Sequence, residues 1–296
     1  MKKEYQKVIY RHEEGGIAYI SLNSPSNSNS QDAQMLYELN DALMDASRDG
    51  EVKVIILAGE GKHFSAGHDL KGEYFAQVGR DFPLTSVWDK PGTRTIEAWF
   101  GWEHEMYLDM CKRWRSIPKP TIAQVQGACI AGALMLVWTC DLIVASEDAK
   151  FQDPVVNLGV GGVEYFAHMW EIGSRRAKEK LFTADSWSAQ DALEWGMVNK
   201  VVSRDTLADE TMKLARRIAD KPSFGLKMAK ASVNGCVDAQ GFSGALDHAF
   251  ALHHLCHAQN RLIYGALIDP SGVSPAVLKS LPGGKLPKIE TYTATE

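Results

Sequence analysis

Residues 63–70, HFSAGHDL, follow the apolar run 52–58 (VKVIILA) and a short polar turn. The run has the length and β-branched content of a buried strand. Ser65, Ala66 and Gly67 are small enough to let a ligand come close to the backbone. Asp69 suits a helix start, whose first N–H groups lack intrahelical acceptors and favour negative charge. The His68 N–H is then the natural donor. On local physics alone, the same letters also fit a plain turn into a helix.

A second stretch, residues 125–141 (VQGACIAGALMLVWTCD), has the same character. Gly127 and Gly132 bracket a turn, and from Ala133 the chain is apolar enough for a buried helix. The Gly132 N–H would lie at that helix's start. Two converging N–H donors stabilise an oxyanion, and losing one typically costs ~10²–10³ in rate. The competing reading is a close helix contact made possible by glycine.

Around these segments, strand, loop and helix alternate to about residue 205. Residues 8–10 and 17–22 read as strands about Glu14-Gly15-Gly16, and 23–30 (NSPSNSNS) as a polar loop. Asp32 caps a helix with Met35, Leu36, Leu39, Leu43 and Met44 on one face, closed by Gly50. Further strands fall at 121–125, 142–145 and 150–151. Ser188 caps a helix over 189–195 with Asp191 in a weak capping-box pattern, and 207–220 is an amphipathic helix. This is an α/β chain, and periodicity suits an ordinary layered fold or a ββα spiral equally. From Pro222 the chain is helical, and 269–296 reads as an extended Pro/Gly-rich tail. Residues 72–117 break the pattern with Trp88, Trp99, Phe100, Trp102, Tyr107 and Trp114, as a lid over a site or as packing against the body.

Taken together, HFSAGHDLK, VQGACIAGALML, CDLIVASEDAKFQDP and Leu158-Gly159 stand in the order seen in the crotonase (enoyl-CoA hydratase/isomerase) superfamily. Residues 183–202 (TADSWSAQDALEWGMVNKVV) resemble a further stretch of that family. The resemblance covers about residues 8–235. It implies a crotonase-like ββα spiral over residues 1–220, with the aromatic insertion at about 72–117. It also implies a helical trimerisation region and tail over 221–296, in a homotrimer or dimer of trimers. The substrate would be an acyl-CoA thioester whose oxygen meets the His68 and Gly132 N–H groups. Ser28, Asn29, Ser65 and Ala66 would lie along the CoA nucleotide, with Lys62 or Lys71 near its phosphates. The insertion exceeds the family's usual length there by about twenty residues, which suggests a wall or lid selecting a bulky acyl group.

The departures from the family pattern bear on the chemistry. Its hydratases use two glutamates, and the matching positions here are Met135 and Val155. Neither side chain moves a proton, so both become apolar positions beside the substrate. Other members place a carboxylate after Leu158-Gly159, where this chain has Glu164. In an apolar, Gly-lined pocket its pKa is expected to be raised, which suits acid–base work. Tyr165 beside it could hydrogen-bond Glu164 or the substrate.

Weaker candidates are His63 as a loop residue, Asp153 as a turn residue before Pro154, and Glu97, Glu103 and His104 as solvated charges of the insertion. His253, His254 and His257 suggest metal ligands, but no third ligand at suitable spacing is evident in the sequence. They read instead as a helix at an oligomer contact. Gly159 to Gly162 lacks the GxGxxG pattern of a dinucleotide site.

Composition narrows the partners. The 296 residues carry a net charge of -5, 45% hydrophobic and 23% charged residues, as in a soluble globular protein. No basic block points to nucleic acid. No run is long enough to span a bilayer, and no apolar leader follows the first lysines. Five scattered cysteines suit reduced thiols in a cytoplasm. Together with the resemblance, which implies an enzyme of the enoyl-CoA hydratase/isomerase type, the expectation is a cytoplasmic protein of that kind. It acts through a thioester enolate by isomerisation, C–C cleavage or hydrolysis, with no cofactor beyond the substrate's CoA and no metal. The alternatives are a non-catalytic acyl-CoA-binding member of the same fold, and a serine hydrolase using Ser65, although G-x-S-x-G is absent.

Overall fold

The computed structural model describes residues 4–70, 81–86, 88–89, 95–280 and 282–286. Among these, nine strands form two sheets. Strands β1 (Val8–Glu13) and β2 (Ile17–Leu22) make a hairpin whose turn needs Gly15 and Gly16 at φ 87° and 77°. Then follow β3 (Val54–Gly59), β4 (Thr121–Val125), β5 (Ala128–Ile130), β6 (Leu142–Ser146), β7 (Lys150–Gln152), β8 (Trp187–Ser188) and β9 (Lys200–Val202). The large sheet has the order β1-β2-β3-β4-β6-β9, and all its pairs after the hairpin are parallel. The small sheet is β5-β7-β8, extended by a parallel bridge from Ser65 to Cys129. Successive turns of chain thus place one extended segment in each sheet: β3 with Ser65, β4 with β5, and β6 with β7. This is the ββα spiral rather than a single layered sheet.

Parallel strands must be covered on both faces, and β3 shows how. Ile55 and Leu57 face the main core, while Val54 and Ile56 face a second core closed by the Leu207–Ala219 helix. Asp32 caps the Ala33–Arg48 helix by accepting from the Met35 N–H at 2.9 Å, and Ser188 and Asp191 form a complete capping box. The first helix ends differently from expectation. Asp49, in an extended conformation, terminates it, and Gly50 supplies no left-handed cap.

The Ile96–Glu103 helix, a π-helical stretch His104–Asp109 and the Met110–Arg115 helix run on in sequence. Trp102, Tyr107 and Trp114 are buried in the main core. This part of the aromatic insertion is therefore packed into the body. The Phe242–Tyr264 helix contributes Phe242, Leu246 and Phe250 to the same core, so the C-terminal helical region is built into the body. The tail expected to be extended contains a short helix, Pro275–Ser280, between two 3-10 turns. No described helix is long and apolar enough to cross a membrane.

Candidate active site

The two glycine-bearing segments lie side by side. The Phe64 N–H donates to Gln126 O, Ser65 N–H to Ala128 O, and Ile130 N–H back to Ser65 O at 2.8, 3.1 and 3.2 Å. A bridge from Gln31 to His68 uses the Gln31 and Asp69 N–H groups, which leaves the His68 N–H outside the ladder. Ala131 sits at φ 50°, an uncommon conformation for a side chain-bearing residue, just before the Gly132–Trp138 helix. Gly132 is the first helical residue, so its N–H has no acceptor inside the helix.

Gly67 lies directly against this start. A Cβ at Gly67 would stand 2.5 Å from Ile130 O and 3.1 Å from Gly132 N, and its φ is +86°. The His68 ring covers Gly132, where a Cβ would come within 2.4 Å of the ring. Tyr107, from the π-helical stretch, stacks on that ring with centroids 4.0 Å apart. Short π-helical segments are frequent at functional sites.

Glu164 reaches the same place from the loop before the His168–Ile172 helix. It is buried, so it is not a solvated residue at a helix start. The His68 Nε2–H donates to Glu164 Oε2 at 3.1 Å, and Glu164 Oε1 lies 3.4 Å from His253 Nε2. The raised pKa expected for Glu164 is corrected. Burial pushes it up, but the charges of His68 and His253 outweigh that and hold it below the usual carboxylate range.

The other expected site residues separate into groups. Met135 is buried beneath the site, its Sδ accepting from the Tyr165 N–H at 3.3 Å, and Val155 is half-buried on a 3-10 turn. The Tyr165 ring is fully buried against Phe242, and its hydroxyl makes no hydrogen bond among the described residues, Glu164 included. Asn29 and Ser65 are 0% exposed, which corrects their expected contact with a nucleotide. Asn29 Nδ2 donates to the carbonyls of Glu60, His63 and Phe64. Ser65 Oγ donates to Asn29 O and accepts from Gln31 Nε2 and the Gly67 N–H. Both hold the loop that shapes the site. Ser28 and Ala66 are half-buried and joined through Ser28 O, and Lys62 is exposed. Lys71 lies outside the described residues.

His63 is a loop pin, its Nδ1 accepting from the Ala128 N–H at 3.0 Å. Asp153 is a buried anchor, accepting from the Val163 N–H at 3.0 Å and from His168 Nε2 at 2.8 Å. Asp153→Ala leaves that imidazole and that amide without a partner. It should lower unfolding stability by about 3–5 kcal/mol, read as a shift in the denaturant midpoint.

Two expectations fail together. Glu103 is not solvated but 5% exposed, and His253, His254 and His257 lie inside the subunit at 5% each rather than at its surface. His104 does fit the expectation more nearly, pairing with Asp109 at 2.9 Å on the outer side. Glu103 lies 3.6, 3.1 and 3.4 Å from His253, His254 and His257. Burial raises its pKa, but His257 and His254 more than reverse that. For His257, burial lowers the pKa and Glu103 more than restores it. Sequence spacing could not find this group, because Glu103 lies far upstream of the histidines. The sole signal was a helical i, i+4 histidine pair on an otherwise apolar face.

Comparison with known proteins shows the family. The enoyl-CoA hydratase/isomerase family profile matches residues 12–88 and 101–261. EchA13 of Mycobacterium tuberculosis, named as an enoyl-CoA hydratase, is 43% identical over 90% of this chain and 87% of that protein. The 1,2-epoxyphenylacetyl-CoA isomerase of Escherichia coli is 30% identical over 76% of this chain and 81% of its own length. A crystal structure of an enoyl-CoA hydratase/isomerase from Xanthobacter autotrophicus Py2 superposes with a TM-score of 0.75, at 32% identity and 91% coverage of both chains.

Proposed function

Since the chain belongs to the enoyl-CoA hydratase/isomerase family, we propose that it moves a proton on the acyl chain of a CoA thioester. In this reading the His68 and Gly132 N–H groups hold the thioester oxygen, and Glu164 is the base. The observation that carries the reading is the place of Glu164: buried, and 3.1 Å from a ring that itself rests on Gly132. Its lowered pKa supports an ionised resting state, ready to take a proton from the carbon next to the thioester. As the proton leaves, negative charge moves to the thioester oxygen, where two fixed N–H dipoles meet it. Glu164, now protonated, returns the proton to the same carbon or to another along the chain.

Hydration through a paired-glutamate water site is not part of this proposal, because Met135 and Val155 stand at the two positions. Isomerisation needs one proton shuttle and suits the single carboxylate. A relative named 1,2-epoxyphenylacetyl-CoA isomerase gives a precedent for isomerase chemistry in the family. The test is turnover across a panel of enoyl-, epoxy- and aryl-acetyl-CoA thioesters, followed by mass spectrometry. Isomerised product is expected from at least one member, and the absence of any product despite bound thioester would favour a non-catalytic role.

Ser65 does not suit a nucleophile, since its hydroxyl is buried within three hydrogen bonds. Ser65→Ala should cost about 1–3 kcal/mol in stability and leave kcat within a few fold. A loss above a hundredfold in a folded variant would restore the hydrolase alternative.

Exposed apolar side chains on the C-terminal helices support a trimer or paired trimers. Phe224, Val233, Leu255 and Leu262 are 72%, 64%, 65% and 84% exposed in the single chain. Such side chains commonly mark a protein contact, and sedimentation should give a mass of three or six chains.

A further inference from the structure

Behind Glu164, the end of the Ile96–Glu103 helix meets the middle of the Phe242–Tyr264 helix. We propose that Glu103, His253 and His257 form a three-residue site for one divalent transition-metal ion of the zinc class, with a water completing the tetrahedron.

The hydrogen bonds of the two imidazoles fix which nitrogen is free. His253 Nδ1–H donates to Gly162 O and His257 Nδ1–H donates to Leu267 O, each at 2.8 Å. With each Nδ1–H committed to a carbonyl, Nε2 is the atom of each ring left to bind a metal once any proton on it is lost. These two atoms face each other at 2.8 Å. They also face Glu103 Oε2, at 3.6 and 3.4 Å. Three such atoms turned to one point need a cation between them, either a shared proton or a metal ion. Atoms bonded at about 2.0–2.1 Å around a tetrahedral ion stand about 3.4 Å apart, which these separations bracket.

The surroundings have the form that orients metal ligands. A backbone carbonyl holds the far nitrogen of each histidine, the usual support of a ligating imidazole. The Trp99 indole N–H binds Glu103 Oε1 and leaves Oε2 turned to the histidines. His254 Nε2 lies 3.1 Å from the same Oε2, and neither ring nitrogen of His254 makes a hydrogen bond among the described residues. The three proposed ligand atoms all fall within 4.8 Å of one another, on buried residues. An ion here would tie the aromatic insertion to the C-terminal helix and would be bound to the same His253 Nε2 that lies 3.4 Å from Glu164.

The test is binding, independent of any acyl-CoA activity. Full-length protein stripped with a chelator is titrated with Co²⁺, followed by visible absorbance, and bound metal is counted by mass spectrometry. One Co²⁺ per chain is expected, with the intense bands of a four-coordinate site, displacement by one equivalent of Zn²⁺ and a rise in Tm on loading. Glu103→Gln and His257→Ala should each weaken binding at least about a hundredfold, beyond the loss that changes to supporting groups give. His104→Ala, outside the cluster, should keep full affinity. A wild-type protein that takes up no stoichiometric Co²⁺ would overturn the proposal in favour of a proton shared between the imidazoles. So would uptake that both ligand variants retain. The wild-type titration stays decisive if a variant does not fold.

Discussion

Glu164→Gln is expected to lower kcat on a turned-over acyl-CoA by ~10²–10⁴-fold while leaving CoA affinity within a few fold. The amide preserves shape and still accepts from His68 Nε2, which lies 3.1 Å from Glu164 Oε2. The side chain therefore stays in place and loses only its ability to carry a proton. The residue is buried, so solvent has poor access to substitute for it. Equal kcat in the folded variant would remove Glu164 from the chemistry. A rise in KM with unchanged kcat would make it a binding group.

Gly67→Ala is expected to be nearly as damaging, for a geometric reason. Its φ of +86° is strained for alanine, and the added Cβ would stand 2.5 Å from Ile130 O. That oxygen is backbone and not the end of a flexible side chain, so the two backbone segments must part. Their separation displaces the His68 and Gly132 N–H groups from each other. A loss of ~10²–10³ in kcat follows from a disabled oxyanion donor, with about 2–4 kcal/mol of stability from strain and overpacking. Kinetics and a denaturant melt on the same sample separate the two effects. Full activity in the alanine variant would mean that the approach of these segments does not form the oxyanion site.

The fold was legible where local chemistry decides it. Asp32 and the Ser188–Asp191 pair announce helix starts, and the continuous apolar run of β3 is buried throughout, its side chains alternating between two cores. Periodicity did not distinguish a spiral from a layered sheet, because both alternate strand and helix. The choice lies in pairings such as Ser65 with Cys129. At the site, the glycine segments were readable because close backbone approach requires glycine. Ser65 and Asn29 were readable as important but not in their role. Small polar side chains that bind loop backbone look in sequence like those that bind a ligand. Glu103 was hidden in a stretch whose charges ordinarily face water, and only the tertiary fold brings it to His253 and His257. The same cause reversed the expectation for the Glu164 pKa, since imidazoles from distant segments outweigh the burial that its neighbours imply.

If Glu164 is the base that forms a thioester enolate, the α-hydrogen of the bound acyl group exchanges with solvent. The most direct measurement is hydrogen exchange at the acyl α-carbon. Wild-type protein and an acyl-CoA that it binds are incubated in D₂O, and deuterium in the acyl group is followed by mass spectrometry. Deuterium should enter at the α-carbon with wild-type protein and fall to background with Glu164→Gln, whatever the later fate of the enolate. No exchange by wild-type protein with bound thioesters across the panel, or equal exchange by the variant, would contradict the account.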